Sequence, residues 1–392
     1  METYNPTQTH KLSWAIVKGL ESEGKNIVDL ISSFPASTYP SNRKILFGLI
    51  MWKRTRGGDG VIIPYINIFL LKHFTRFFSA TVFLLLWHIK NRRDKRTVLV
   101  YGLNSSHIYA AIFTSALFKV KNICIVTDPP GRSMPNENWI ISTARIFDRK
   151  ILVTACSYMA GMISLTKALI EKLEFTGPSI IVEGIIVERD INLISDLKKR
   201  SEDQKLSEDF IIMYAGGLSV EYGIKVLLDA TKYILTKNYQ LWLCGWGSMV
   251  DEINNKAANN GRIKFYGNLG QRELRKLLLS STILINPRPS KENFTELSFP
   301  SKTLEYMASG KPVVSTKLAG IPEGYFQHLV CIEDETPKGI AYVINSLQKK
   351  NRKELNEIGA GAKCYVEKFK NEKYQGRRIS HFINEIVNEA SS

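Results

Sequence analysis

Residues 294–324, FTELSFPSKTLEYMASGKPVVSTKLAGIPEG, decide the fold. Pro300 and Ser301 open a helix, because proline suits a first turn and a serine hydroxyl can bond a free N–H. Thr303 to Ala308 continue it, and Gly310 followed by Lys311-Pro312 ends it. Val313 and Val314 then start a short strand. A helix start attracts negative charge through its free N–H groups and its dipole. Lys302 in that first turn opposes the dipole, so its presence suggests an anionic ligand shared by Lys302 and the helix end.

Working outward, the same alternation repeats. Phe210 to Ala215, Leu241 to Cys244, Ile263 to Tyr266 and Ile283 to Ile285 read as strands. Val226 to Leu235, Met249 to Asn255 and Gln271 to Ser281 read as the helices between them. Upstream, residues 11–24 read as a helix with Leu12, Ala15, Ile16 and Leu20 on one face. Ile27 to Ile31, Thr97 to Leu103, Asn122 to Thr127, Ile151 to Cys156 and Ser179 to Val182 read as strands. His107 to Leu117 and Met162 to Leu173 read as helices. Continuous apolar runs of this length suit strands buried on both faces of a parallel sheet. Alternating strands and helices give an α/β chain of doubly wound type. The charged stretch Lys198 to Asp209 reads as a surface lead-in to a second domain, and Lys353 to Ala390 as largely helical.

The stretch around Glu305 resembles the nucleotide-sugar site of retaining GT-B glycosyltransferases of the family 4 type. Their signature is a Glu, seven residues, a second Glu, a small-residue helix end, then Gly and Pro-Val-Val. Glu305 matches the second Glu, and Gly310-Lys311-Pro312-Val313-Val314 matches the tail. The resemblance runs from about Asp209 to Glu323 and more loosely beyond. It implies two Rossmann-like domains facing a central cleft, with a C-terminal helix crossing back to the first domain. The expected division is 1–195 for acceptor binding, 196–365 for the nucleotide sugar, and 366–392 for the returning helix. No apolar run precedes Leu12, so either a first strand lies before the recorded start or the first sheet lacks a central strand.

The resemblance also assigns roles. Gly216 and Gly217 form a turn after a strand, where a backbone without side chains can approach a phosphate. Most members carry a basic residue at the position of Gly217 and a Lys at that of Tyr222; this chain has neither. Arg288, after the strand Ile283–Ile285, and Lys302 are the candidate replacements that grip the diphosphate and stabilise the leaving group. Glu305 is expected to accept from the ribose hydroxyls. The first Glu falls on Leu297, one residue from Glu296. The sugar is therefore expected at Glu296 or at backbone N–H groups of the stretch Ser298 to Ser301, which Phe299 and Pro300 shape. Gly245, Gly267 and Asn268 are expected beside the nucleotide. Asp128 is the candidate that orients the acceptor hydroxyl or takes its proton; the other reading is an Asp that caps a turn before Pro129.

Composition sets the outer limits. The 392 residues suit two domains, and 44% hydrophobic content is ordinary for a folded protein. Five scattered cysteines, none in a CxxC pair, point to a reducing compartment and against a disulfide framework or zinc site. The net charge is +16, and residues 1–190 hold 24 Lys and Arg against 14 Asp and Glu. A basic surface suits anionic lipid, phosphorylated substrate or nucleic acid, but no RNP-type or zinc-finger motif supports nucleic acid. Phe77 to Trp87 is uncharged yet far short of the ~20 apolar residues of a membrane span. Five cations and one Asp follow within Lys90–Arg96. That pairing fits an interfacial helix on an anionic leaflet, or a buried helix with a solvated basic end.

The sequence therefore reads as a metal-independent, cofactor-free glycosyltransferase. The expected partners are a nucleotide-diphosphate sugar, a polyprenyl-diphosphate-linked saccharide acceptor and an anionic membrane surface, without nucleic acid. Its expected place is cytoplasmic, peripheral on the inner face of the membrane, in O-antigen or capsule assembly. Two alternatives stay open: a nucleotide-sugar-binding subunit without turnover, and a nucleotide-sugar epimerase.

Overall fold

The computed structural model of the chain describes residues 8–22, 24, 26–54, 57–130, 139–188, 209–292 and 294–388. The charged lead-in expected at 198–209 lies, apart from Asp209, outside them. The chain forms two compact units: residues up to Glu183 with those from Gln375 onward, and Gly184–Tyr374.

The first unit runs α1 (Gln8–Glu21), β1 (Leu30–Ser33), β2 (Leu46–Phe47), β3 (Ile50–Trp52), β4 (Gly60–Ile63), β5 (Tyr65–Ile66) and α2 (Leu71–Lys90). It continues with β6 (Thr97–Tyr101), α3 (Ser105–Phe118), β7 (Lys121–Val126), α4 (Trp139–Ser157), β8 (Gly161–Ser164), α5 (Lys167–Lys172) and β9 (Ser179–Ile181). β6-β7-β8-β9 make a parallel sheet in which β6 stands at an edge, while β1-β4-β3 and β2-β5 form separate small sheets.

Two expectations are corrected here. Ile151 to Cys156 is not a strand but the end of α4. Its β-branched residues favour a strand, yet Leu152, Ala155 and Cys156 are the buried ones, a helical spacing that tertiary packing selects over local propensity. Met162 to Leu173 is not one helix. Gly161–Ser164 is a strand buried at every position, and α5 follows it, capped by the Thr166 hydroxyl accepting from Leu169 N.

The second unit is a doubly wound domain. Its elements are β10 (Phe210–Gly217), α6 (Ile224–Ala230), β11 (Tyr239–Trp246), α7 (Val250–Asn259), β12 (Ile263–Phe265), α8 (Gln271–Ser280), β13 (Ile283–Asn286) and α9 (Lys302–Ala308). Then come β14 (Val313–Thr316), β15 (Val330–Ile332), α10 (Pro337–Gln348) and α11 (Arg352–Phe369). The parallel sheet has the order β12-β11-β10-β13-β14-β15. Side chains alternate along each strand. Ile211, Met213 and Ala215 of β10 therefore enter one core with α8, α9 and α11, while Ile212 and Tyr214 enter the other with α6 and α10. Such two-sided burial explains why these strands read as unbroken apolar runs.

The last helix, α12 (Glu372–Asn388), starts in the second unit and returns to the first. Gly376 meets α1 so closely that a Cβ would lie 2.1 Å from the carbonyl oxygen of Gly19. Gly161 of β8 lies under the side chains of Ile386 and Phe382, with a Cβ there 2.3 Å from Ile386 Cδ1.

Candidate functional site

Sheet order locates the site. From β10 the chain moves outward to β11 and β12, then returns to the other side for β13, β14 and β15. In an open parallel sheet, ligands bind beyond the carboxyl ends of the strands where this reversal occurs. Here the reversal lies between β10, which ends at Gly216-Gly217, and β13, which is followed by Pro287-Arg288.

The two strands part at that point. β10 pairs with β13 only through Ile212 and Met213. The backbone of Ala215 therefore lacks a strand partner on that side, and Tyr306 of α9 supplies one. Its phenol accepts from Ala215 N at 2.7 Å and donates to Ala215 O at 3.0 Å. Burial raises the Tyr306 phenol well above its ordinary pKa, so it stays a neutral donor. On the far side Gly245 pairs with Gly216, and a Cβ at Gly245 would fall 1.8 Å from Gly216 O. Gly245 has φ 134° and Gly267 φ 65°, and Gly245 N donates to Gly267 O at 2.8 Å. Asn268 follows, exposed. Trp246 is 74% exposed at the carboxyl end of β11, in register with Gly217.

Arg288 is held in an unusual way. Its guanidinium carbon lies 4.8 Å from the Tyr222 ring centre and 5.2 Å from that of Phe294. Those rings stand edge to face, 5.9 Å apart. The Arg288 Nε is buried and without a hydrogen-bond partner among the described residues. The Arg288 carbonyl accepts from the Thr316 hydroxyl. Burial pushes its pKa down, yet an arginine starts so high that it remains a cation. Aromatic faces attract a cation without neutralising it. Tyr222 and Phe294 are the site residues that the sequence reading missed. Tyr222 drew notice only as the place of an absent lysine, and nothing in the linear sequence brings Phe294 to it.

Lys302 has a partner. Its Nζ lies 3.1 Å from a carboxylate oxygen of Glu305, one turn along the helix. This pair offsets the unfavourable placement of a cation in the first turn, so Lys302 does not require an external anion to explain it. Its charge still reaches the carboxyl end of β11, where burial pushes the Cys244 thiol up to about 11 and Lys302 counters that rise. Ser301 precedes α9 with helical backbone angles and makes no side-chain cap bond, so the expected serine cap is absent. Pro300 is buried, and its carbonyl accepts from Thr303 N at 2.8 Å. Phe299 packs into the core against Tyr325, leaving its backbone as the part that a ligand could meet. Glu296 is exposed on the loop before α9 and Leu297 is half-buried.

Asp128 belongs to the first unit, exposed just past the carboxyl end of β7. The Thr127 hydroxyl donates to it at 2.9 Å. Burial raises the nearby Tyr101 phenol, and the Asp128 charge adds to that rise.

Residues 209–350 match the family model described as Glycosyl transferases group 1. No protein of curated description matches the sequence. Among solved structures, the fold is similar to HepE of Anabaena in complex with UDP. That match has TM-score 0.56 and 16% identity, over 78% of this chain and 82% of that one. Sucrose-phosphate synthase of Thermosynechococcus elongatus gives TM-score 0.64 and 12% identity over 96% and 92%. The lipopolysaccharide outer core galactosyltransferase WaaB gives 0.51 and 14% over 80% and 81%. These likenesses establish the GT-B fold.

Proposed function

We propose that this chain, whose residues 209–350 form a group 1 glycosyltransferase domain, is a retaining glycosyltransferase. It transfers a sugar from a nucleotide-diphosphate donor to a hydroxyl of a polyprenyl-diphosphate-linked saccharide. The work is done at the inner face of the membrane, in assembly of a bacterial surface polysaccharide. The observation that carries this reading is Arg288 at the switch point, held by two aromatic rings of which Tyr222 lies against Gly217, the last residue of β10 rather than part of a turn after it. Solved HepE complexes with UDP and with UDP-glucose support a nucleotide-sugar donor. WaaB, a lipopolysaccharide outer core enzyme, supports a lipid-linked acceptor.

In the proposed reaction the acceptor oxygen forms a bond to the anomeric carbon as the bond to the diphosphate oxygen breaks. The acceptor proton passes to that departing oxygen on the same face, which preserves configuration. Arg288 and Lys302 stabilise the growing diphosphate charge, a role in which fixed cations take the place of a metal. Glu305 accepts from the ribose hydroxyls, and Lys302 turns from Glu305 toward phosphate. Trp246 offers an aromatic face to the base. Asp128 orients the acceptor. A binding subunit without turnover is the second reading, favoured by Leu297 where a carboxylate is usual and by the Lys302–Glu305 pair.

The test is incubation with a panel of nucleotide sugars and polyprenyl-diphosphate saccharides, reading released nucleoside diphosphate and extended lipid by mass spectrometry. Extended product from one donor is expected. Arg288→Ala and Lys302→Ala should each lower kcat/KM by roughly 100-fold. Normal donor affinity and turnover in both variants would overturn the assignment. Donor binding with no product from any acceptor would favour the second reading.

A further inference from the structure

Helix α2 buries charged and polar side chains in line with Ala80 and Leu84 and turns large apolar ones outward. Lys72, Arg76 and His88 are buried, whereas Phe74 is 70% and Phe78 68% exposed, with Leu86 and Ile89 exposed on the same stripe. The cations turn inward because the segment before β2 offers carbonyls. Lys72 Nζ donates to Ala36 O at 2.6 Å, and Arg76 donates to Phe34 O at 2.8 Å while stacking on Tyr65 at 4.1 Å. Burial lowers the Lys72 pKa. Water normally selects the opposite arrangement, with charges outward and rings inward.

The stripe is part of a larger surface. Ile68, Phe69, Leu70 and Leu71 are four consecutive exposed apolar residues at the start of α2, and Leu70 is held at φ 63°, a left-handed angle that costs a leucine. Leu49, just before β3, and Ile50 and Met51 within it are exposed. A groove of about 370 Å³ runs between Leu46, Tyr65, Phe74 and Phe78. Exposed cations flank these residues along the chain: Arg43, Lys44 and Lys53 near the small strands, and Lys90, Arg92 and Arg93 at and just past the end of α2. Residues 30–96 contain twelve Lys and Arg against two Asp. Among the described residues no helix is long and apolar enough to cross a membrane.

We infer that the outward stripe of α2, with the loop 68–71 and the exposed residues around β3, seats in the surface of an anionic lipid bilayer. Rings and leucines enter the acyl boundary, and the flanking cations meet lipid phosphates. The charge selects this occupant. A second copy would bring two basic surfaces together, and a neutral bilayer would leave the cations without counter-charge. The inference deepens the proposed reading and rests on it for its purpose, since a lipid-linked acceptor is reached from the bilayer.

The experiment is vesicle flotation of the full chain, without donor or acceptor. The vesicles are phosphatidylcholine alone or mixed with phosphatidylglycerol. Binding to the mixed vesicles, weak binding to phosphatidylcholine, and release by high salt are expected. Phe74→Ser/Phe78→Ser and, separately, Arg92→Ser/Arg93→Ser should each lower partitioning by roughly tenfold. Unchanged thermal unfolding and UDP binding would show that these variants fold. Absence of binding to mixed vesicles, or binding indifferent to both double variants, overturns the inference. So does a salt-stable dimer by light scattering that the Phe74/Phe78 change dissolves. Because flotation needs no turnover, a failed transfer assay leaves this surface standing, and failed flotation leaves the transfer reading standing.

Discussion

At the scale of single residues, the cation at the switch point depends on its neighbours. An arginine on a loop samples many rotamers, and ordering it costs conformational entropy. Tyr222 and Phe294 reduce that cost by confining the guanidinium between two faces. Gly223 makes this possible. It sits at φ 78° against the carbonyl of Pro287, where a Cβ would lie 1.9 Å from oxygen, so the turn carrying Tyr222 packs directly under the loop carrying Arg288. Tyr222 therefore acts as a positioning residue. Tyr222→Leu should raise the donor KM by about 3–10-fold, within the range of a cation–π contact, and Tyr222→Phe should restore near-normal values. Steady-state kinetics with varied donor checks this. If Leu and Phe variants behave alike, the aromatic face is not what matters.

At the scale of elements, α9 and β10 show what could and could not be read in advance. The central strands of the second unit, β10, β11 and β13, were legible because they are apolar runs buried on both faces and ended by glycine or proline, whereas the short, half-buried edge strand β15 was not. Arg288 was legible as a residue beyond a strand end, whereas Gly216 and Gly217, expected as a turn, are the last residues of β10 itself. The role of Tyr306 was not, because it follows from where the β10–β13 ladder stops, and register is not written in either strand alone. α4 and β8 were misread for a related reason: Ile151 to Cys156 has strand-like residues, and only its partners reveal a helical face. Lys302 was read as an unpaired first-turn cation although its partner, Glu305, lay three residues away. A spacing of three residues puts both side chains on one face of α9, so this ion pair follows from helical geometry. The Tyr306 bridge yields a direct prediction. Tyr306→Phe removes one hydroxyl but leaves two buried backbone groups of Ala215 unsatisfied, at a cost of about 1–3 kcal/mol. Urea unfolding of the second unit should shift to a lower midpoint with unchanged slope. An unaltered midpoint would mean that water or a shifted strand satisfies Ala215.

At the scale of the whole molecule, acid should act on the first unit. His88 is fully buried, stacked on Phe118 at 4.7 Å, and neither ring nitrogen has a partner among the described residues. Burial, with the nearby Arg96, lowers its pKa to about 4. His107 places Nδ1 3.0 Å from Asn104 Oδ1, and its Nε2 is buried without a partner; burial, with Arg76, lowers it too to about 4. In the unfolded chain both return to about 6.5. Above that pH neither state binds the protons and stability does not depend on them. Between 6.5 and 4 the unfolded chain holds up to two more protons than the folded one, so stability falls as pH falls, and the loss from these groups is complete below 4. Both histidines belong to the first unit. The urea midpoint of its transition should therefore hold steady from pH 8 to about 7 and decline toward pH 4.5. His88→Phe keeps the stacking shape and removes one titrating group, so it should flatten that decline in part, with His107 and His73, which burial also lowers, supplying the rest. Tryptophan fluorescence, followed across urea at each pH, reads the midpoint. A wild-type midpoint independent of pH between 7 and 5, or a decline unaltered in His88→Phe, would show that these rings are protonated in the folded state and that the buried-neutral description is wrong.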